Sequence, residues 1–83
     1  MFPLGNIMFK HYVTPAELGA IVRAARKAQK LRQDQLAGVA NVGLRFIVDL
    51  EAGKPTAQIG KALQVLAALG VTLEVKAPEA RVG

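Results

Sequence analysis

Asn41-Val42-Gly43 and Gly53-Lys54-Pro55 cut the stretch from Thr14 to Gly70 into short runs whose apolar residues recur at helical spacing. Asn41 suits a left-handed turn and Gly70 a helix stop. The first run opens on Thr14-Pro15-Ala16-Glu17, where threonine can cap, proline fits the first helical position, and Glu17 stands three residues after the cap. Leu18, Ile21, Val22 and Ala25 then form one apolar stripe, and the helix is expected to end near Gln29 or Lys30. A second helix, Gln33 to Ala40, turns Leu36, Ala37 and Ala40 inward. A third, about Leu44 to Glu51, does the same with Ile47 and Leu50. Thr56 is expected to cap a fourth helix running through Leu69, with Ile59, Leu63, Leu66 and Leu69 as its stripe.

Val71 to Lys76 alternates apolar and polar residues, the pattern of a half-exposed strand. One strand cannot satisfy its own ladder groups, and an isolated pair is marginal. It therefore needs a partner, either the N-terminal arm or the same strand of a second chain. Two-fold pairing would bury Val71, Leu73 and Val75 of both copies. Size argues the same way. A chain of 83 residues buries only about 60% of its unfolded surface, and 14 of its hydrophobic residues are alanines, which add helix propensity more than core volume. The expected architecture is mainly α: four to five helices with a short C-terminal β-strand that pairs across a homodimer. Residues 1–13 form an arm or weak strand, 14–70 the helical domain, 71–76 the dimerisation strand and 77–83 a fraying tail.

Several functions are excluded on chemical grounds. With no cysteine there is no disulfide or thiolate metal site, and with His11 as the sole histidine no His-based metal site or catalytic triad can be assembled in one chain. Standard phosphate-loop patterns are missing. No metal, cofactor or enzymatic activity is expected. Met1 to Phe9 lacks the basic start and small-residue cleavage pair of a signal peptide. The uncharged stretch Ala62 to Leu73, 12 residues long, is too short to span a bilayer. The expected setting is the cytoplasm, with no membrane partner.

Charge points instead to a polyanion. The net charge is +5, and residues 23–54 hold four of those five: Arg23, Arg26, Lys27, Lys30, Arg32, Arg45 and Lys54 against Asp34, Asp49 and Glu51.

The segment Leu31-Arg32-Gln33-Asp34-Gln35-Leu36-Ala37, with Asn41-Val42, Ile47, Leu50-Glu51 and Gly53-Lys54 at their spacings, resembles the lambda-repressor-like (Xre-type) helix-turn-helix. Arg32 replaces the usual threonine and Asn41 the turn glycine. The resemblance covers Thr14 to Leu69. It implies a double-stranded DNA-binding regulator whose recognition helix, Leu44 to Glu51, enters a major groove about 12 Å wide. Of its outward candidates Leu44, Arg45, Val48 and Asp49, only Arg45 is a common bidentate base reader. Asp49, four residues on, would hold that guanidinium or accept from cytosine. Leu44 and Val48 can offer apolar contact to thymine methyls. Gln33 matches the family glutamine that hydrogen-bonds a phosphate at a helix N-terminus, with Arg32, Lys54 and Thr56 as further phosphate contacts. Arg26 and Glu51 stand where the family places a buried structural salt bridge.

Arg45-Phe46-Ile47, Asp49-Leu50-Glu51 and Gly53-Lys54-Pro55-Thr56, followed by Leu63-Gln64-Val65-Leu66 and the strand, resemble the HipB-type antitoxin branch more narrowly. That resemblance implies a small dimeric repressor reading a palindromic operator and binding a kinase-fold toxin. Two alternatives stay open: a protein-interaction module for which DNA binding is secondary, and a solitary regulator without a toxin.

Overall fold

Helix α1 (Pro15–Ala28) starts on a reciprocal cap. The Glu17 N–H donates to Thr14 Oγ1 at 3.1 Å and the Thr14 N–H to Glu17 Oε1 at 3.0 Å, so two donors that a helix start leaves orphaned are both satisfied. Helices α2 (Gln33–Ala40), α3 (Leu44–Glu51) and α4 (Ile59–Leu69) follow. These are the regular elements of the computed structural model, which describes residues 13–75.

All four helices stop in the same way. The chain turns left-handed at Lys30 (φ 60°), Asn41 (φ 59°), Gly53 (φ 83°) and Gly70 (φ 73°). The next N–H then reaches back five residues: Leu31 to Arg26 O at 3.1 Å, Val42 to Ala37 O at 3.0 Å, Lys54 to Asp49 O at 3.0 Å and Val71 to Leu66 O at 2.9 Å. This closure satisfies carbonyls that the helix ends would otherwise strand. Glycine and asparagine take the conformation readily. Lys30 carries a β-carbon there and works against a steric cost of about 1–2 kcal/mol.

The helices enclose one core. Val22, Leu36, Ile47 and Val65 are fully buried at its centre, with Ala37, Ala40, Leu50, Ala62, Leu66 and Leu69 around them. Helix α1 crosses the end of α3 at Gly19, where a β-carbon would stand 2.4 Å from the Leu50 carbonyl oxygen and 2.9 Å from that of Glu51. Only a hydrogen fits at this crossing. Two glutamines tie helix ends together: Gln29 Nε2 donates to Leu69 O at 2.8 Å, and Gln64 Nε2 to Ala40 O at 3.2 Å.

The helix limits agree with the sequence reading for α2 and α3, and α1 ends one or two residues early. Helix α4 departs from it. It begins at Ile59 with Gln58 at its cap position, while Thr56 lies in the preceding turn and caps nothing. Its inward face is Ala62, Val65, Leu66 and Leu69, so Ile59 (68% exposed) and Leu63 (44% exposed) lie outside the core. Ile21 is likewise exposed on α1. The cause is composition: α4 is apolar nearly all round, and a helical period then fits more than one face.

Among the described residues there is no strand. Val71 is half-buried and Thr72 to Val75 are exposed without regular structure in the single chain, so the pairing expected of Val71, Leu73 and Val75 has no partner here. Lys76 and the tail lie outside the described residues, as do the first twelve residues of the arm, with His11 and Tyr12.

Candidate nucleic-acid interface

Asn41-Val42-Gly43 joins α2 to α3. The left-handed Asn41 turns the chain, and the Gln64 bond to the Ala40 carbonyl pins that turn to α4. Buried Leu36, Ala37 and Ala40 of α2 pack with Ile47 and Leu50 of α3. The core thereby sets the second helix of the pair on the first, leaving the start of α3 at the surface.

Leu44 and Arg45, in the first turn of α3, are exposed; Val48 and Asp49 are half-buried. Phe46 is half-buried against the core with the Lys61 ammonium 6.0 Å from its ring centroid, which makes it packing between α3 and α4 rather than a surface reader.

Asp49 does not hold Arg45. Its carboxylate pairs with Lys54, Nζ to Oδ2 at 3.4 Å. Lys54 reaches it because the turn at Gly53 folds residue 54 back, its own N–H bonding the Asp49 carbonyl. Spacing alone suggested the i, i+4 arginine as Asp49's partner, and the helix stop supplied a lysine instead.

Arg32 precedes α2 and pairs with Asp34, Nε to Oδ1 at 3.0 Å, on an exposed surface. The hydrogen bond to Asp34 raises the Arg32 pKa, and the same bond lowers that of Asp34. The Arg32 N–H donates to Gln35 Oε1 at 2.8 Å, which orders the first turn of α2.

The third carboxylate is buried. Arg26 grips Glu51 with two bonds, Nε to Oε2 at 2.6 Å and Nη2 to Oε1 at 2.9 Å, and its Nη1 donates to Leu31 O at 2.9 Å. The Glu51 side chain is only 4% exposed. Gln33 completes the cluster, donating from Nε2 to Glu51 Oε1 at 3.1 Å. Burial works against the charged carboxylate, but the bonds from Arg26 and Gln33, with the positive charges of Arg26 and Arg23, prevail and hold Glu51 below its ordinary pKa of 4.5. The bond to Glu51 likewise raises the Arg26 pKa, against the opposing effect of burial. Such a pair ties α1 to the ends of α2 and α3 more through the penalty for breaking it than through its net worth.

Gln33, matched with a phosphate-binding position, therefore has one amide N–H committed within the chain. The sequence carried no sign of this, because Gln33 and Glu51 are 18 residues apart and only the α2–α3 packing brings them together. Lys61, beside Phe46, is a second cation that the sequence reading passed over.

The cluster has an electrostatic consequence. Asp34, Asp49 and Glu51 are all of the acids in residues 23–54, and each is paired with its own cation. Arg23, Lys27, Lys30 and Arg45 have no ion pair among the described residues. Arg45 alone of these four lies on α3. No group of three His, Cys, Asp or Glu side chains that could hold a metal ion occurs among the described residues, and no helix among them is long and apolar enough to cross a membrane.

Comparison with known proteins agrees with this geometry. The Helix-turn-helix family model matches residues 22–76, which takes in the end of the cap-initiated helix, the α2–α3 pair and α4. A protein of Sinorhizobium fredii (strain NBRC 101917 / NGR234), named an uncharacterized HTH-type transcriptional regulator y4mF, is 68% identical over 74 residues, covering 89% of this chain and 97% of that protein. With two helices set by a shared core and an unpaired arginine at the start of the second, the chain belongs to the Xre-type, lambda-repressor-like helix-turn-helix family of DNA-binding transcriptional regulators, which are not enzymes.

Proposed function

We propose that this regulator is a homodimeric repressor that reads a palindromic operator in double-stranded DNA. The observation that carries this is the unpaired, exposed Arg45 in the first turn of α3, in a region whose every carboxylate is already neutralised. Arg45 is the base reader, in bidentate contact with guanine, and exposed Leu44 meets a thymine methyl. Val48, being half-buried, gives a narrower apolar contact, and Asp49 accepts from cytosine only with Lys54 at its side. Gln33 donates its second amide N–H to a phosphate while Glu51 holds the first. Arg32, Lys54 and Thr56 flank it as further phosphate contacts, which position the protein without reading sequence. Two copies joined through Val71, Leu73 and Val75 place their recognition helices one turn of duplex apart, about 34–36 Å.

Binding to a fragment of the native promoter, compared with the same fragment scrambled, tests the reading. Tight binding to the first alone is expected; equal affinity for both removes the sequence-specific role. The narrower resemblance to HipB-type antitoxins supports autoregulation of a toxin-antitoxin operon with a kinase-fold toxin as second partner. Co-purification from the native operon checks it: a kinase-like protein retained on the tagged chain is expected, and a chain that elutes alone leaves a solitary regulator.

A further inference from the structure

The open apolar cleft between α1 and α4, lined by Leu18, Ile59, Leu63 and Leu73, belongs to the homodimer proposed above. A second surface, basic instead of apolar, lies on α1. Arg23 and Lys27 stand one turn apart on its exposed face, and Lys30 follows in the left-handed turn that ends it. None of the three has an ion pair among the described residues. Glu17, the sole acid of α1, is committed to the Thr14 N–H.

This ridge sits at one end of the recognition helix. Gly19 brings α1 against the Leu50 and Glu51 carbonyls, and Ala16 packs on Gly53, where a β-carbon would stand 3.0 Å from the Ala16 Cα. The charge of Arg23 reaches Glu51 and helps to keep that carboxylate ionised. Glu51 in turn holds the Gln33 amide. From Lys30 the chain passes through Leu31 into Arg32 and Gln33 at the start of α2. Arg23, Lys27, Lys30 and Arg32 therefore form an arc of exposed cations on the α1 side of Gln33. Arg45 lies at the opposite end of α3, about 9 Å along its axis.

We propose that this arc is a second contact with duplex DNA: Arg23, Lys27 and Lys30 bind backbone phosphates beyond the one that Gln33 takes, outside the base pairs that α3 reads. This rests on the DNA-binding reading above and extends it from α2 and α3 to α1. The contact carries no sequence preference, because every duplex presents the same phosphates. It supplies affinity, through counterion release.

Duplex DNA suits the ridge better than an acidic protein surface does. Its neighbours on the exposed side of α1 are Ala20, Ala24 and Ala28, so no aromatic or long aliphatic side chain is at hand to anchor a protein interface. Exposed Ile21 stands two residues before Arg23 and points elsewhere. A rod of evenly repeated negative charge needs no such anchor. The helix dipole by itself favours a cation near the end of α1, which accounts for Lys27. It explains neither Arg23, nearer the middle, nor a lysine held where glycine would sit without strain.

Affinity of the full chain for duplex, measured against potassium chloride concentration, tests the proposal on the native promoter fragment and on its scrambled counterpart. Arg23→Gln, Lys27→Gln, Lys30→Gln and Lys30→Gly remove charge; Arg23→Lys and Lys27→Arg keep it. Each removal should weaken both duplexes by the same factor and lower the slope of log affinity on log salt by about 0.9 per subunit. The charge-keeping variants should match wild type. Lys30→Gly relieves the turn, so it should melt higher than wild type while losing as much slope as Lys30→Gln. Slopes unchanged across all the removals overturn the contact and leave α1 with a solvated face. A loss on the promoter alone overturns its indifference to sequence. Weaker binding at the wild-type slope, tracking a lower melting temperature, traces to folding and overturns it as well. Substitutions that spare DNA but abolish retention of an acidic partner make the ridge a protein surface instead. Equal affinity of wild type for the two duplexes removes the sequence-specific repressor, a separate failure, since the slopes are read on either duplex.

Discussion

The two sides of this molecule are finished to different degrees. Where α1, α2 and α3 meet, the polar side chains are hydrogen-bonded within the chain: Arg26 uses three nitrogens, Glu51 both oxygens and Gln33 its amide. Along α4 and Val71 to Val75, apolar side chains stand in solvent and backbone groups lie open. The chain thus closes the polar junction of α1, α2 and α3 by itself and leaves the apolar side along α4 open. Polar closure is costly to leave half-made and is best done within one chain. An apolar face can wait for a second molecule, since its exposure costs only in proportion to area.

The largest test of that contrast removes one partner from the closed side. Arg26→Ala strands a buried carboxylate and should lower stability by about 3–5 kcal/mol, read by urea denaturation; a loss below 1 kcal/mol would mean water reaches Glu51 freely. Acid attacks the same contact. The folded-state pKa of Glu51 is depressed, so its contribution is fully present above the ordinary value of 4.5 and is lost as pH falls through the lower folded value. Melting temperature should therefore drop below about pH 4.5, and Glu51→Gln, already weaker at neutral pH, should show a shallower acid decline.

Arg45→Ala separates function from fold on the same side. Operator affinity should fall by about 1–3 kcal/mol, with relaxed preference at one base per half-site and an unchanged melting temperature. A smaller effect comes from Lys30, the one left-handed position filled by neither glycine nor asparagine. Lys30→Gly should raise stability by about 0.5–1 kcal/mol, detectable as a higher urea midpoint. Smallest of all is the open side: Ile59→Asp should change the stability of the dilute monomer by less than about 0.5 kcal/mol. A loss comparable to that of Arg26→Ala would erase the distinction between the two halves.

Local signals carried much of the fold. The cap at Thr14 and Glu17 and the stops at Asn41, Gly53 and Gly70 depend on residues within one turn of each other, and each is found in place. The end of α1 near Gln29 or Lys30 was legible, but its left-handed turn at Lys30 was not, because lysine has no preference for that conformation; packing of Leu31 against the core and the closing bond to Arg26 impose it. The inward face of α4 was ambiguous because Ile59-Leu63-Leu66 and Ala62-Val65-Leu69 are both helical stripes, and only its neighbours choose between them. At the interface, the exposure of Arg45 followed from period. The partners of Asp49 and Gln33 did not, since one comes round a turn and the other from another helix.

By itself, then, the sequence determined where α2 and α3 begin and end, which of their residues face the core, and that a basic block surrounds a helix-turn-helix. Those properties follow from backbone sterics, capping chemistry and side-chain period, all of which act over a few residues. Tertiary structure alone decided which cations are spent on carboxylates and which are left over, that a hydrogen must stand at Gly19, and that Ile59 and Leu63 face an open cleft. Each of these depends on distances between groups far apart in the chain, and those distances exist only once the helices have packed.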